Sequence, residues 1–87
     1  MEVQELVFTN TNGTWTASYV SQGDTVVQLV RRGDGGRVII YACIDGMKKT
    51  PIDVLTGNMF MVCVPAGLTV TLESENEVTA AKRQAVE

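Results

Sequence analysis

With no histidine anywhere among 87 residues, chemistry in this chain would fall to aspartate, cysteine, serine and lysine. The commonest general base and the commonest metal ligand are missing together. Paired carboxylates are the remaining route to acid–base hydrolysis, and Asp24, Asp34, Asp45 and Asp53 are the candidates. All but Asp53 adjoin a glycine, where aspartate serves a turn through local hydrogen bonds and tolerance of left-handed backbone. A serine nucleophile at Ser18, Ser21 or Ser74 would need Lys48 or Lys49 as its activator, and nothing in their spacing joins them. Cys43 and Cys63 form no Cys-x-x-Cys pair and have no histidine to complete a zinc tetrahedron. No loop carries the alternating acidic spacing of a calcium site, and Gly33-Asp34-Gly35-Gly36 lacks the lysine and following helix of a phosphate-binding loop. The expectation is no catalytic residue, no metal site and no cofactor.

Recognition motifs fare little better. Arg32-Gly33-Asp34 matches the tripeptide displayed to integrin-type receptors, on a hairpin tip where turn composition also produces it. Asn12-Gly13-Thr14 fits a glycosylation acceptor, but Asn-Gly is first a hairpin turn. Trp15 and Tyr19 share one strand face and could stack a sugar or a base, although large aromatics more often fill the core of a small β domain. The possible ligand contacts are thus Trp15, Tyr19, Arg32 and Asp34. A net charge of −3 argues against nucleic acid, since Arg31, Arg32 and Arg37 flank a single turn and form no stripe. No run approaches the roughly 20 apolar residues of a membrane helix. Met1 to Glu5 lacks the basic and apolar parts of a signal peptide, so synthesis in the cytoplasm is expected. In that compartment Cys43 and Cys63 are expected as free, buried thiols.

The elements that would position these residues are strands. A hydrophobic share of 45% beside 20% charged residues is that of a globular chain, and 87 residues make one domain. Alternation runs through Val3–Thr9 and again through Thr14–Ser21, joined at Asn12-Gly13. Thr25–Arg32 and Arg37–Ile44 read as a second hairpin closed by Gly33–Gly36. Pro51 confines the next strand, around Ile52–Leu55, to a sheet edge. Met59–Val64 and Leu68–Glu73 then read as a pair, with Val64-Pro65-Ala66-Gly67 as a type I turn between them. In the tail, residues 74–87, a capping-box pattern at Ser74 and Glu77 competes with strand alternation. The strand is preferred because an all-β chain commonly closes its sheet with its last segment. The fold expected is a small antiparallel β-sandwich, jelly-roll-like or Greek-key, or a squashed barrel, of about seven strands.

Val38–Ile44 and Met59–Val64 are apolar on both faces, whereas a two-layer sandwich covers only one. With no helix to act as a third layer, a companion chain is expected over Ile39, Tyr41, Met59 and Met61. Burying about 600 Å² of apolar surface supplies on the order of 15 kcal/mol before association costs. Small acidic all-β chains with a stretch like Pro65-Ala66-Gly67-Leu68-Thr69-Val70-Thr71-Leu72 resemble the head-fibre and capsid-decorating proteins of tailed bacteriophages. That resemblance covers residues 58–80 and carries no functional residue over. It implies a compact sandwich located in a virion, assembling as a trimer or higher homo-oligomer or on a capsid lattice protein. A carbohydrate- or cell-surface-binding module is the alternative, and an enzyme is the least favoured reading.

Overall fold

The alternation written in the sequence becomes antiparallel sheet along most of the chain. The computed structural model describes residues 3–33 and 36–86, so Asp34 lies outside the described residues. Among these the strands are β1 (Val3–Glu5), β2 (Thr9–Thr11), β3 (Thr14–Ser21), β4 (Thr25–Arg31), β5 (Arg37–Cys43), β6 (Thr50–Thr56), β7 (Met59–Val64), β8 (Leu68–Ser74) and β9 (Val78–Ala85). They form a four-stranded sheet in the order β1-β9-β4-β7 and a five-stranded sheet in the order β2-β3-β8-β5-β6. The chain is an all-β sandwich of two antiparallel sheets, and the tail contributes strand β9.

The pairings nest. β5 pairs with β6, β4 with β7, β3 with β8 and β1 with β9, so the chain is one long hairpin with its apex between β5 and β6. Rolling that hairpin brings β8 against β5 and β9 against β4, which gives the jelly-roll order. Only the β2–β3 and β5–β6 connections stay within one sheet. The first is the Asn12-Gly13 turn, with φ of 54° and 88°, the doubly left-handed geometry that matches strand twist.

Two expected hairpins are therefore corrected. β4 and β5 lie in different sheets, and so do β7 and β8. A turn signal marks where the chain reverses but not whether it reverses within a sheet or across the sandwich. The Pro65–Gly67 turn does the latter: Gly67 N donates to the Ser21 carbonyl, and Ala66 N to Asp24 Oδ1 at 2.9 Å. The expected strand Val3–Thr9 also splits, because Leu6 and Phe8 turn into the core as the chain changes sheets, leaving Val7 outside. Pro51 sits on edge strand β6 as expected, opposite a register shift at Ile40/Tyr41.

Between the sheets, Val27 and Leu29 of β4 meet Val38 and Ile40 of β5 and Val70 and Leu72 of β8, all fully buried. Arg31 closes one end, 3% exposed, with Nε and Nη2 donating to the Gly57 carbonyl. Cys43 and Cys63 are free, but Cys63 is exposed and Cys43 only half-buried, which corrects the expectation of buried thiols. They occupy different sheets and cannot meet.

Leu72 pairs with Ala17 on one side and Ile40 on the other, so its side chain spans the centre of the core. Leu72→Ala is expected to lower unfolding free energy by about 2–5 kcal/mol. Chemical denaturation followed by circular dichroism measures it, and a loss below about 1 kcal/mol would mean that this core collapses around the gap.

Candidate functional site

Side chains on β4 alternate between the interior and the outside. Val27, Leu29 and Arg31 point inward, which leaves Val26, Gln28 and Val30 on the outer face of the four-stranded sheet. Register then fixes their neighbours. Val26, Gln28 and Val30 stand opposite Cys63, Met61 and Met59 of β7 on one side. On the other they stand opposite Gln84, Lys82 and Ala80 of β9. Phe60, Val62 and Val64 of the same β7 pack on the core.

This outer face is uneven. Toward β1 it is mixed, with Glu5 opposite Lys82 and exposed Val3 opposite Gln84. Toward β7 it is an apolar stripe of Val26, Val30, Met59, Met61 and Cys63, in which Met59 and Met61 are 69% and 63% exposed. A groove of about 540 Å³ runs beside Met61, between Val26 and Gln28 on one side and Val3 and Val86 on the other.

Ile39 and Tyr41 lie on the opposite outer face. Across the five-stranded sheet Ile39 stands beside Glu73 and Val54, and Tyr41 beside Thr71 and Pro51. They are half-buried, because β5 is an interior strand with neighbours on both sides, and Lys49 Nζ sits 4.5 Å above the Tyr41 ring while paired with Glu73. The rest of this face mixes hydroxyls with exposed valines: Ser18 and Thr71 are hydrogen-bonded at 3.1 Å, while Val20 stands opposite Thr69 and Val54 opposite Ile39. The four residues expected under one companion chain thus divide between two faces on opposite sides of the sandwich.

Of the possible ligand contacts, Tyr19 is 7% exposed, with Arg83 stacked 4.6 Å over its ring. That burial puts its ring in the core, the reading favoured over a stacking platform. Its hydroxyl shares a 2.9 Å hydrogen bond with Thr25 Oγ1, which also bonds Ser21 Oγ. Burial raises the Tyr19 pKa above 10.0, outweighing the hydrogen bond from Thr25 and the Arg83 charge, which lower it. Trp15 lies in the same inward row, opposite Ser74, and is half-buried. Arg32 is at the far end, exposed and paired with Glu77 at 3.1 Å. Structure does not gather Trp15, Tyr19 and Arg32 into one site.

Of the described candidate aspartates, Asp24 and Asp45 hold turns, whereas Asp53 lies within strand β6. Asp24 receives the Ala66 N–H, Asp53 Oδ1 receives the N–H of Val54, and Asp45 precedes Gly46 at a φ of 84°. Glu75 accepts hydrogen bonds from the Arg37 side chain and backbone N–H, which hold its carboxyl below the ordinary value.

Comparison with family models, curated proteins and solved structures finds no match to this chain.

The apolar stripe is the feature that stands out among the described residues. Sequence reasoning found Met59 and Met61 but missed Val26, Val30 and Ala80. The signal was available in Thr25–Arg31, where valine occurs at both parities, in the same two-sided pattern as β5 and β7.

Tyr19→Phe is expected to lower stability at neutral pH by about 1 kcal/mol through the lost hydrogen bond. Because the folded pKa of Tyr19 is raised, its contribution is complete below pH 10.0 and is lost as pH rises through the folded value. Thermal midpoints on either side of pH 10.0 should fall more steeply for the parent than for Tyr19→Phe, and parallel curves would contradict the assignment.

Proposed function

We propose that this chain is a non-catalytic structural subunit of an oligomeric assembly. One observation supports the reading above others: the β7 side of the four-stranded sheet presents Val26, Val30, Met59, Met61 and Cys63 as one apolar stripe. Scattered surface hydrophobes are normal on a monomer, but Met59, Met61 and Cys63 form an unbroken row on β7, flanked on β4 by Val26 and Val30 with Gln28 between them, and such a patch suits a covered surface. Gln84 and Lys82 of β9 border the stripe on its inner side.

A virion surface is the setting that the resemblance to head-fibre and capsid-decorating proteins suggests. The jelly-roll order is compatible with it, although the same architecture serves lectin domains, and a fold does not by itself assign a function. The burial of Tyr19 and its separation from Arg32 weigh against the carbohydrate-binding alternative, which needs exposed aromatic faces.

Native mass spectrometry and sedimentation velocity at micromolar concentration test the reading. The expected result is a defined multimer that resists tenfold dilution and is weakened by Val30→Lys on the outer face. A chain that stays monomeric at every concentration would overturn it.

A further inference from the structure

β7 is the one described sheet edge with no device against pairing. Edge strands are ordinarily blunted by shortness, charge, proline or a bulge, because their open N–H and C=O groups recruit other strands. β1 and β2 have three residues each. β6 carries Pro51 and Asp53 and faces a register shift. β7 runs for six residues, Met-Phe-Met-Val-Cys-Val, with no charge, no proline and an unbroken register against β4. Its exposed side chains are the apolar stripe.

The direction of its free backbone groups follows from two hydrogen bonds. Arg31 N donates to the Asn58 carbonyl at 2.7 Å, and the β4–β7 register places these two residues opposite each other. They form a closely hydrogen-bonded pair, and such pairs recur at every second residue of an antiparallel ladder. Phe60, Val62 and Val64 therefore bond to Leu29, Val27 and Thr25, and the N–H and C=O groups of Met59, Met61 and Cys63 point away from β4. The far side of β4 gives the same phase. Val86 N donates to the Asp24 carbonyl at 2.8 Å, so the even-numbered residues of β4 bond to β9 and the odd-numbered ones to β7.

We propose that β7 pairs antiparallel with β7 of a second copy about a twofold axis at Met61, joining two four-stranded sheets into one of eight strands. The inference rests on the assembly reading above and names its partner. An axis at Met61 sets Met61 against itself and Met59 against Cys63 of the second copy, so each outward N–H meets an outward C=O. The three close pairs exchange about six backbone hydrogen bonds. Moving the axis to Val62 would set Met59 against Pro65, which has no N–H. Moving it to Phe60 would set Cys63 against Gly57, beyond the strand. The axis stands normal to the sheet, so the apolar stripes of the two copies lie on the same side and become continuous. Across the new ladder Met61 packs on Met61 and Met59 on Cys63 of the second copy, which shields the flanks of side chains that are otherwise 69% and 63% exposed at Met59 and Met61. The backbone hydrogen bonds and these cross-strand contacts hold the pair.

The test compares prolines at adjacent positions in the full chain. M61P removes an N–H that points away from β4, so the fold should survive by circular dichroism while association weakens at least about 100-fold by sedimentation equilibrium. V62P removes a ladder bond to β4 and should unfold the domain. A second arm is M61C with Cys43 and Cys63 changed to serine. Its two thiols would face each other across a pair about 5.5 Å apart at Cα, and mild oxidation should give a covalent dimer. A multimer that M61P leaves unchanged, with no M61C cross-link, would overturn the β7 pairing and leave the assembly reading standing. A parent chain that is monomeric would overturn both. Should M61P fail to fold, the M61C cross-link decides.

Discussion

Strand β4 hydrogen-bonds alternately in two directions, odd residues to β7 and even residues to β9, and the sandwich depends on that double use. The β4–β7 pairing belongs to the long hairpin, whereas the β4–β9 pairing exists only because the hairpin has rolled. β8 has the same dual position in the other sheet, between β3 and β5. Neither sheet survives loss of the roll, since the four-stranded sheet would fall apart into two-stranded ribbons and the five-stranded sheet into β2-β3-β8 and the ribbon β5-β6. Contacts distant in sequence hold the structure, and six fully buried apolar side chains, Val27, Leu29, Val38, Ile40, Val70 and Leu72, lie on these doubly paired strands and on β5.

Polar groups complete the two ends that apolar packing leaves open. At one end Asp24 receives the Ala66 N–H on its carboxylate and the Val86 N–H on its carbonyl, tying the β3–β4 turn to the β7–β8 turn and to the tail. At the other end the buried Arg31 guanidinium is held by the carbonyl of Gly57, with the Glu75 carboxylate near enough to feel its charge. A buried cation adds little net stability, because desolvation offsets most of what its partners return. It does fix geometry. The guanidinium accepts only arrangements in which the 57–58 turn folds against the end of β4, which sets where β7 begins.

Alternation made most strands legible in the sequence, because a period of two is a local property of side chains. Turn residues located the reversals for a similar reason. What they could not show was the sheet to which each strand belongs: β4 and β5, like β7 and β8, follow one another in the chain yet lie in different sheets. Crossing is decided by core contacts far away in sequence. The same limit governed the candidate interface. Ile39, Tyr41, Met59 and Met61 share a two-sided apolar pattern, but the pattern has different causes in the two strands. β5 is apolar on its outer face within the sheet, shielded by flanking strands and by Lys49. β7 is apolar at an edge, where no neighbour in its own chain can shield it.

An open strand edge can do one of two things, and the difference lies in symmetry. If one edge meets a different edge of the next copy, the contact is heterologous and repeats without limit unless rotation closes a ring. If an edge meets itself about a twofold axis, pairing consumes both copies and stops. The other described edges of this sandwich are short or carry proline and charge, so they offer β7 no complementary partner. What remains complementary to β7 is β7. Its length reinforces the point, since outward-facing Met59, Met61 and Cys63 lie symmetrically about the middle residue and proline stands just past the far end. An uncharged strand that would be an aggregation hazard in an open array thus ends in a closed pair. Larger assemblies would then have to use the opposite face, where Ile39 lies beside Val54 and Glu73 and Tyr41 beside Thr71.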